Sequence, residues 1–395
     1  MEAFFKTHKY LVEHTDAPVR RDLMDEIDWS DRMIGIKGTR GIGKTTFLLQ
    51  YAKENFASDD RRCLYVNMNN FYFQGHGIAD FAAKFHENGG RVLLIDQIFK
   101  KPDWSRELRQ CYELFPDLKI VFTGSSVMRL KDENPELNGI VKSYNLRGFS
   151  FREYLNLQTG NKFSKLTLAD IITRHEEIAQ EMIEKVDIKR HFSDYLHHGF
   201  YPFFLEHRNF EENLLKTMNM MTEVDILLIK QIELKYLTKI KKLFYLLAVE
   251  GPKAPNISNL AGDIETSRAT VMNYIKYLSD ARLINMVYHE GDDFPKKPSK
   301  VMMYNPNLMY AIYPIVANTQ DVMETFFVNT IWKDHKVNQA SKESCYTVDG
   351  NNKFRIVDAA QTSRLRNSTD TIYAVYNTTI GKEDHIPLWI FGMLY

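Results

Sequence analysis

An α/β fold with a parallel sheet buried between helices is what the N-terminal part of this sequence predicts, on three observations. Over residues 32–142, short β-type runs (RMIGIKG, RRCLYVNM, RVLLID, LKIVFTGSS, VKSYNL) alternate with helical patterns such as KTTFLLQYAKENF and IADFAAKFHENGG. The runs are apolar without regular polar alternation, the pattern of strands covered on both faces, and such strands belong to parallel sheets with helical crossovers. Between the first run and the first helical pattern lies GTRGIGKTT, residues 38–46, a glycine-rich loop of the form G-x-x-x-x-G-K-[ST].

At 395 residues the chain is long enough for roughly two or three domains, each with its own core. Apolar residues make up 44% and charged residues 26%, and no stretch approaches the roughly 18 consecutive apolar residues of a membrane helix, so a soluble protein with no membrane partner is expected. The opening MEAFFKTHKYLVEHTDAPVRRDL scatters charges where a signal peptide would be apolar, which points to the cytoplasm. Cys63, Cys111 and Cys345 are too few and too far apart for a disulfide framework or a zinc site. Formal net charge is zero, so no long-range positive field draws the whole chain onto a polyanion, which leaves only local patches.

The domain reading is 1–148 for the sheet domain, 149–235 for a helical lid or linker, 236–292 for a winged helix-turn-helix and 293–395 for an α+β domain. Residues 149–250 are rich in Leu, Ile, Met, Glu and Lys without strand-like alternation, save near YPFF. Beyond KIKKLFYLLAVEG, two short helices lead into a longer one at 268–281, where Val271, Tyr274, Ile275 and Leu278 form an apolar stripe. HEGDDFPKKPSK reads as a polar connector, DVMETFFVNTIWKDH as a helix, and ESCYTV, KFRIVD and TIYAVYN as strands.

The loop has the chemistry of a phosphate cradle. Gly38, Gly41 and Gly43 let the backbone curl so that N–H groups along Thr39, Arg40, Gly41, Ile42, Gly43, Lys44, Thr45 and Thr46 turn toward phosphate oxygens. Lys44 supplies a point charge for the terminal phosphates, and Thr45 a hydroxyl for Mg²⁺. The bland alternative is a glycine turn that only joins strand to helix. Asp96, ending VLLID, is placed to hold the same Mg²⁺ at the sheet edge, or else to cap the next helix. Thr123, Gly124, Ser125 and Ser126 end another strand; they reach a γ-phosphate or the attacking water if that strand lies between the other two, and otherwise form a turn.

Together GTRGIGKTTFLLQYA, LLIDQIFKKPDWSRELRQCYELFPDLKIVFTGSS, YNLRGFSFREYLNL and the closing IPLWIFGMLY resemble the prokaryotic AAA+ ATPases that carry a winged helix and a C-terminal restriction-endonuclease-like domain. The resemblance implies the P-loop NTPase fold of the AAA+/ASCE type, ATP and Mg as ligands, and a catalytic set of Lys44, Asp96, Gln97 and Ser125. It implies a sensor strand inserted between the phosphate-loop strand and the metal-holding strand, which brings Ser125 to the γ-phosphate. Arg147 becomes a phosphate sensor or conformational element, against the plainer reading of a surface cation or a salt bridge to Glu153. An arginine finger from a neighbouring subunit has several candidates, Arg129 included.

Such relatives usually read Asp-Glu where this chain reads Asp96-Gln97. Glutamine can hold the attacking water by hydrogen bonds but cannot act as its base. Binding is expected to survive and hydrolysis to be slow, unless Asp103 or Glu107 on the next helix substitutes. The amide suits a natural binding switch or a substitution that traps the triphosphate state, and both readings stay open.

The resemblance also sets an expectation for a nuclease centre, which would need a helix glutamate, a strand aspartate and Glu-x-Lys around a divalent metal. Glu324 fits the first place. ESCYTV offers no acid at the second, and KFRIVDAAQT has Arg355 at the third without the lysine, so a scaffold kept for binding is expected, with Asp349 and Asp358 as the only rearranged candidates. His191, His197 and His198 flank aromatic residues and read as helix surface. Arg268, Asn273 and Lys276 on the longer helix are the candidate DNA contacts, with ELKYLTKIKK and FPKKPSK adding positive charge. The leading expectation is an ATP-binding switch whose output passes to a protein partner or another copy of itself. The second is a DNA-binding regulator or defence effector with a structural nucleotide.

Overall fold

The computed structural model describes residues 1–128, 134–206, 209–313, 318–340, 344–364 and 370–395, and the chain forms two compact units, Met1–Arg147 and Gly148–Tyr395. In chain order the first unit comprises α1 (Glu2–His14), α2 (Leu23–Glu26), β1 (Met33–Gly38), α3 (Lys44–Asn55), β2 (Cys63–Asn67) and α4 (Tyr72–Gly75). It continues with α5 (Ile78–Glu87), β3 (Val92–Asp96), α6 (Trp104–Leu114), β4 (Lys119–Ser125) and β5 (Lys142–Asn145).

The five apolar runs are the five strands, all parallel, in the order β2-β3-β4-β1-β5. Burial explains the composition of β1 to β4, whereas β5 is exposed at the edge of the sheet: β3 is buried along its whole length, and Phe47 and Leu48 of α3, Phe81 and Phe85 of α5 and Leu108 of α6 are buried in the same unit. Because β4 inserts between β1 and β3, the register sets Ser125 beside Gly38, while β2 sets Asn67 beside Asp96. Three loops therefore converge at the carboxyl edge of the sheet, where open α/β sheets form their ligand crevices.

The N-terminal helix has a part in this that the sequence did not announce. His8 of α1 is buried, and its Nδ1 accepts the N–H of Tyr65 at 3.0 Å, covering a donor on the edge strand β2. Burial lowers the His8 pKa to about 4, which keeps the ring neutral and able to accept.

The second unit begins with α7 (Phe151–Thr159), α8 (Leu168–Ile183), α9 (Ile188–His198), α10 (Phe210–Met220) and α11 (Leu227–Lys230). Next come α12 (Leu237–Glu250), α13 (Ile257–Asp263), α14 (Arg268–Asp280), β6 (Ile284–Val287) and β7 (Lys300–Met303). The last part holds α15 (Pro306–Ile312), α16 (Thr319–Ile331), β8 (Val337–Gln339), β9 (Cys345–Val348), β10 (Asn352–Asp358), β11 (Ile372–Tyr376) and β12 (His385–Pro387). Capping boxes start α7 and α8: Ser150 pairs with Glu153 and Thr167 with Asp170, each satisfying backbone donors that a helix start leaves open. The YPFF stretch is no strand but a 3₁₀ turn, Pro202–Glu206, consistent with a proline that cannot donate to a ladder.

The stripe Val271, Tyr274, Ile275 and Leu278 on α14 is buried as its spacing requires. β6 and β7 pair antiparallel, so the partner of β6 lies beyond residue 292 and the boundary expected there falls inside a hairpin. A polar, proline-bearing loop has the same composition whether it joins domains or strands. The C-terminal sheet runs β12-β11-β10-β9-β8, antiparallel from β8 to β10 and parallel from β10 to β12. Phe327 of α16 fixes that helix on the sheet, its ring 5.4 Å from that of Phe354 and 5.1 Å from that of Phe391. Among the described residues no helix is long and apolar enough to cross a membrane.

Candidate functional site

The phosphate loop leaves β1 at Gly38, where a Cβ would lie 2.6 Å from the Leu146 carbonyl oxygen, so the close return of the chain requires glycine. Gly41 and Gly43 have φ of 81° and 90°. Gly43 is the N-cap of α3, and no side chain caps that helix among the described residues. The N–H groups of its first turn have no acceptor within the helix, and they give its end a partial positive charge. A Cβ on Gly43 would meet nothing within 4 Å, so the cradle opens there. Ile42 and Thr39 are buried and anchor the loop, with Arg40, Gly41, Gly43, Lys44 and Thr46 half-buried and Thr45 exposed. The Lys44 ammonium lies over the loop, donating to the carbonyls of Gly38 at 2.9 Å and Thr39 at 2.7 Å.

Asp96 is 1% exposed, and its carboxylate accepts from neutral groups on three sides. Oδ2 takes the Thr45 hydroxyl at 2.7 Å, the Tyr65 hydroxyl at 2.9 Å and the Asn67 amide at 3.2 Å; Oδ1 takes the Thr123 hydroxyl. Among the described residues Asp96 has no ion-pair partner. Burial, then the Asp96 charge, push the Tyr65 hydroxyl far above its ordinary range, so it stays a donor. This donor set fits a divalent cation. A buried carboxylate keeps an uncompensated charge next to a threonine hydroxyl at the mouth of an anion cradle, the oxygen chemistry a hard cation prefers. Asp96 does not cap the next helix, the other role open to it.

Gln97 sits in left-handed backbone, φ 56° and ψ 48°, between two buried residues, and its N–H donates to Thr123 Oγ1 at 2.9 Å. A non-glycine residue held there stores roughly 1 kcal/mol or more of strain, of a kind that gathers at functional sites. Thr123 thus serves Asp96 and the Gln97 backbone. Ser125 is buried at the end of β4 beside Gly38. Of the two candidate substitute bases, Glu107 Oε2 accepts the Ala79 N–H at 3.0 Å in the first turn of α5, while Asp103 is exposed at the start of α6. Arg147 is half-buried, with its carbonyl held by Arg21 Nη2 at 2.8 Å. Arg129 lies outside the described residues.

The acidic residues singled out in the second unit have separate partners. Glu324, 3% exposed, accepts from Lys300 Nζ at 2.7 Å, the Tyr346 hydroxyl at 2.6 Å, Gln320 Nε2 at 3.0 Å and the Ser344 hydroxyl. Asp349 binds His335 at 2.6 Å and the Lys336 N–H at 2.8 Å, and Asp358 accepts from Asn377 at 2.8 Å. Among the described residues no group of three or more His, Cys, Asp or Glu is arranged to hold a metal. His197 stacks on Tyr310 at 3.7 Å, and the His198 ring lies 5.9 Å from that of Phe210. On α14, Arg268 and Asn273 are exposed, but Lys276 is tied to Asp280 at 2.7 Å. Lys239 and Lys242 donate to the Glu265 and Asp263 carbonyls beyond and at the end of α13, so part of the expected positive charge is spent on local structure.

Comparison with known proteins gives one family match over this loop and sheet. Residues 30–155 match the family described as an AAA domain, a match that takes in the five-stranded parallel sheet and the glycine-rich loop. Residues 189–318 match a domain of unknown function, DUF8612. Uncharacterized protein MJ1637 of Methanocaldococcus jannaschii is 26% identical over 307 residues, covering 72% of this chain and 64% of that protein, so the match spans less than two thirds of its relative. Among solved structures, Thermotoga maritima RuvB is 15% identical over 73% of this chain and 89% of its own, with a TM-score of 0.28. The Aeropyrum pernix ORC1 protein in complex with DNA is 11% identical over 80% and 92%, with a TM-score of 0.30. Scores this low carry no argument about what this chain does.

Proposed function

We propose that the first unit binds Mg-ATP and works as a nucleotide-dependent switch whose hydrolysis is slow. The observation that carries the reading is Asp96, a buried carboxylate with four neutral donors and, among the described residues, no ion-pair partner, hydrogen-bonded to the threonine of an open, glycine-curled cradle. A bound Mg²⁺ would supply charge neutralisation to the phosphates. Thr45 and Asp96 would hold it, Lys44 would trade its loop carbonyls for phosphate oxygens, and the first-turn N–H groups of α3 would take the remainder. Adenine preference rests on the AAA domain match.

Gln97 then sets the tempo. Its amide orients a water without taking the proton, and Glu107 is already engaged at α5. The strained backbone at Gln97 holds the residue in place beside Thr123. Ser125, beside Gly38, is the γ-phosphate sensor in this reading, and Arg147 the relay. In the second unit we read α12, α13, α14 and the β6–β7 hairpin as a winged helix, and α16 with the mixed sheet as a restriction-endonuclease-like scaffold used for binding. The output goes to a protein partner or a second copy of the chain, with DNA as the alternative through Arg268 and Asn273.

The test is calorimetry with Mg-ATP beside a phosphate-release assay. Tight binding with little turnover is expected, lost on Lys44→Ala. Gln97→Glu should raise turnover by about 10²- to 10⁴-fold, the usual worth of general-base help. Rapid hydrolysis by the unaltered chain, or no gain in the variant, would sink the reading.

A further inference from the structure

A cavity of about 400 Å³ opens in the second unit, far in sequence from the phosphate loop and lined by Tyr154, Asp194, His198, Phe203, Phe204 and Phe210. Tyr154 comes from α7, Asp194 and His198 from successive turns of α9, Phe203 and Phe204 from the Pro202–Glu206 turn, and Phe210 from the first position of α10. The rings meet edge to face, Tyr154 on Phe204 at 5.1 Å and Phe203 on Phe210 at 6.3 Å. Four aromatic side chains thus line the cavity, and the π faces of such rings carry negative quadrupole potential.

Among the described residues the one charged group in the lining is the Asp194 carboxylate, half-buried and with no hydrogen bond or ion pair. Burial lowers His198, so its ring is uncharged at neutral pH and supplies no counter-ion. Burial, and after it the Asp194 charge, push the Tyr154 hydroxyl up to about 12; Arg190, one turn earlier on α9, opposes this with a smaller effect. Glu206 ends the turn that carries Phe203 and Phe204, and Glu211 and Glu212 follow Phe210 in the first turn of α10, where Glu212 is partly offset by Lys216 at 2.7 Å.

We propose that this cavity binds a single organic cation, an alkylammonium or guanidinium group, seated between the aromatic faces and the Asp194 carboxylate. An anion would meet an uncompensated carboxylate there. A neutral apolar ligand would bury that carboxylate without a partner, which is unfavourable. A cation satisfies the carboxylate and the ring quadrupoles together. The volume exceeds a bare ammonium and suits the stem of an arginine side chain or a polyamine.

Ligand-observed NMR titration of the full chain tests this with N-acetylarginine amide, its neutral isostere N-acetylcitrulline amide, and spermidine. Saturable binding of at least one cation is expected, with the citrulline compound at least about ten-fold weaker than the arginine compound. Asp194→Asn should weaken the cation about ten-fold while leaving the melting temperature unchanged, since among the described residues the carboxylate has no hydrogen bond or ion pair to lose. Phe203→Ala, at a half-buried position, should weaken it several-fold. Tighter binding of the arginine compound assigns the site to a protein side chain, and tighter binding of spermidine to a free polyamine. No binding by either cation, equal binding of the arginine and citrulline compounds, or full affinity in Asp194→Asn overturns the proposal.

Discussion

Asp96 and Glu324 are both almost wholly buried carboxylates next to a β-sheet, one in each unit, and their surroundings treat them in opposite ways. Asp96 accepts from three hydroxyls and an amide, all neutral, so its charge stays unspent. Glu324 accepts from a lysine ammonium as well as from Tyr346, Ser344 and Gln320. A carboxylate with an internal counter-ion is already satisfied. One with neutral donors alone stabilises its charge only in part and is poised for a cation from outside. Residue type therefore does not separate site from scaffold here; the charge of the nearest donor does.

The largest expected effect tests the satisfied half of that contrast. Lys300 Nζ and Glu324 are 2.7 Å apart in a place where both side chains are under 10% exposed. Lys300→Met strands the glutamate among neutral donors and should destabilise the second unit by about 3–5 kcal/mol in denaturant unfolding. The double variant Lys300→Met with Glu324→Leu removes both charges and should regain most of that loss. A single variant as stable as the parent would show that Glu324 needs no counter-ion, and the contrast would be broken.

The open half is tested next. At a hundredfold excess over its dissociation constant, Mg-ATP should stabilise the first unit by about 2.7 kcal/mol. Asp96→Asn should forfeit the magnesium-dependent part of that gain, read as the difference in melting temperature with Mg²⁺ and with EDTA. The ligand-free melting temperature should move little, because an amide can still bond with Thr45, Tyr65 and Asn67. A variant that keeps its full magnesium response would show that Asp96 does not meet the metal.

How much of this was legible beforehand follows the reach of each signal. The phosphate loop and the four buried strands β1 to β4 are local patterns, set by neighbours within a few residues, and each is found where its spacing predicts; β5 pairs where expected but is exposed at the sheet edge. Asp96 was legible because an acid that ends an uncharged strand is conspicuous. Its holders Tyr65, Asn67 and Thr123 were not, because they reach Asp96 only through strand register, which one strand's sequence does not carry. Lys300 lies 24 residues before Glu324 in a loop-like segment, and nothing local joins them. β8 and β12, at three residues each, are too short to show alternation. Glu107 looked free because the helix start it serves belongs to another part of the chain.

The smallest effect sharpens the contrast from a third acid. Asp321 lies one turn before Glu324 on α16, and one ammonium can satisfy only one of the two. Burial first, then the charge of Glu324, raise the Asp321 pKa to about 6, against weaker help from Lys300 and Lys253. A carboxyl raised in the folded state favours folding at low pH, where it is protonated, and that contribution is lost as pH rises from its ordinary value near 3.8 through about 6. Glu324 runs the other way. Burial would raise it, but Lys300 and the hydrogen bonds lower it overall, so its contribution is present above its ordinary value of 4.5 and fades as pH falls below that. Asp321→Asn should therefore raise the melting temperature at pH 7 by an amount worth under about 1 kcal/mol after solvent screening. The difference should vanish below about pH 4, where the native carboxyl is neutral too. Thermal unfolding of parent and variant at pH 4 and pH 7 reads both. An identical gain at the two pH values would show that charge is not its source, and Lys300 would then not be fully spent on Glu324.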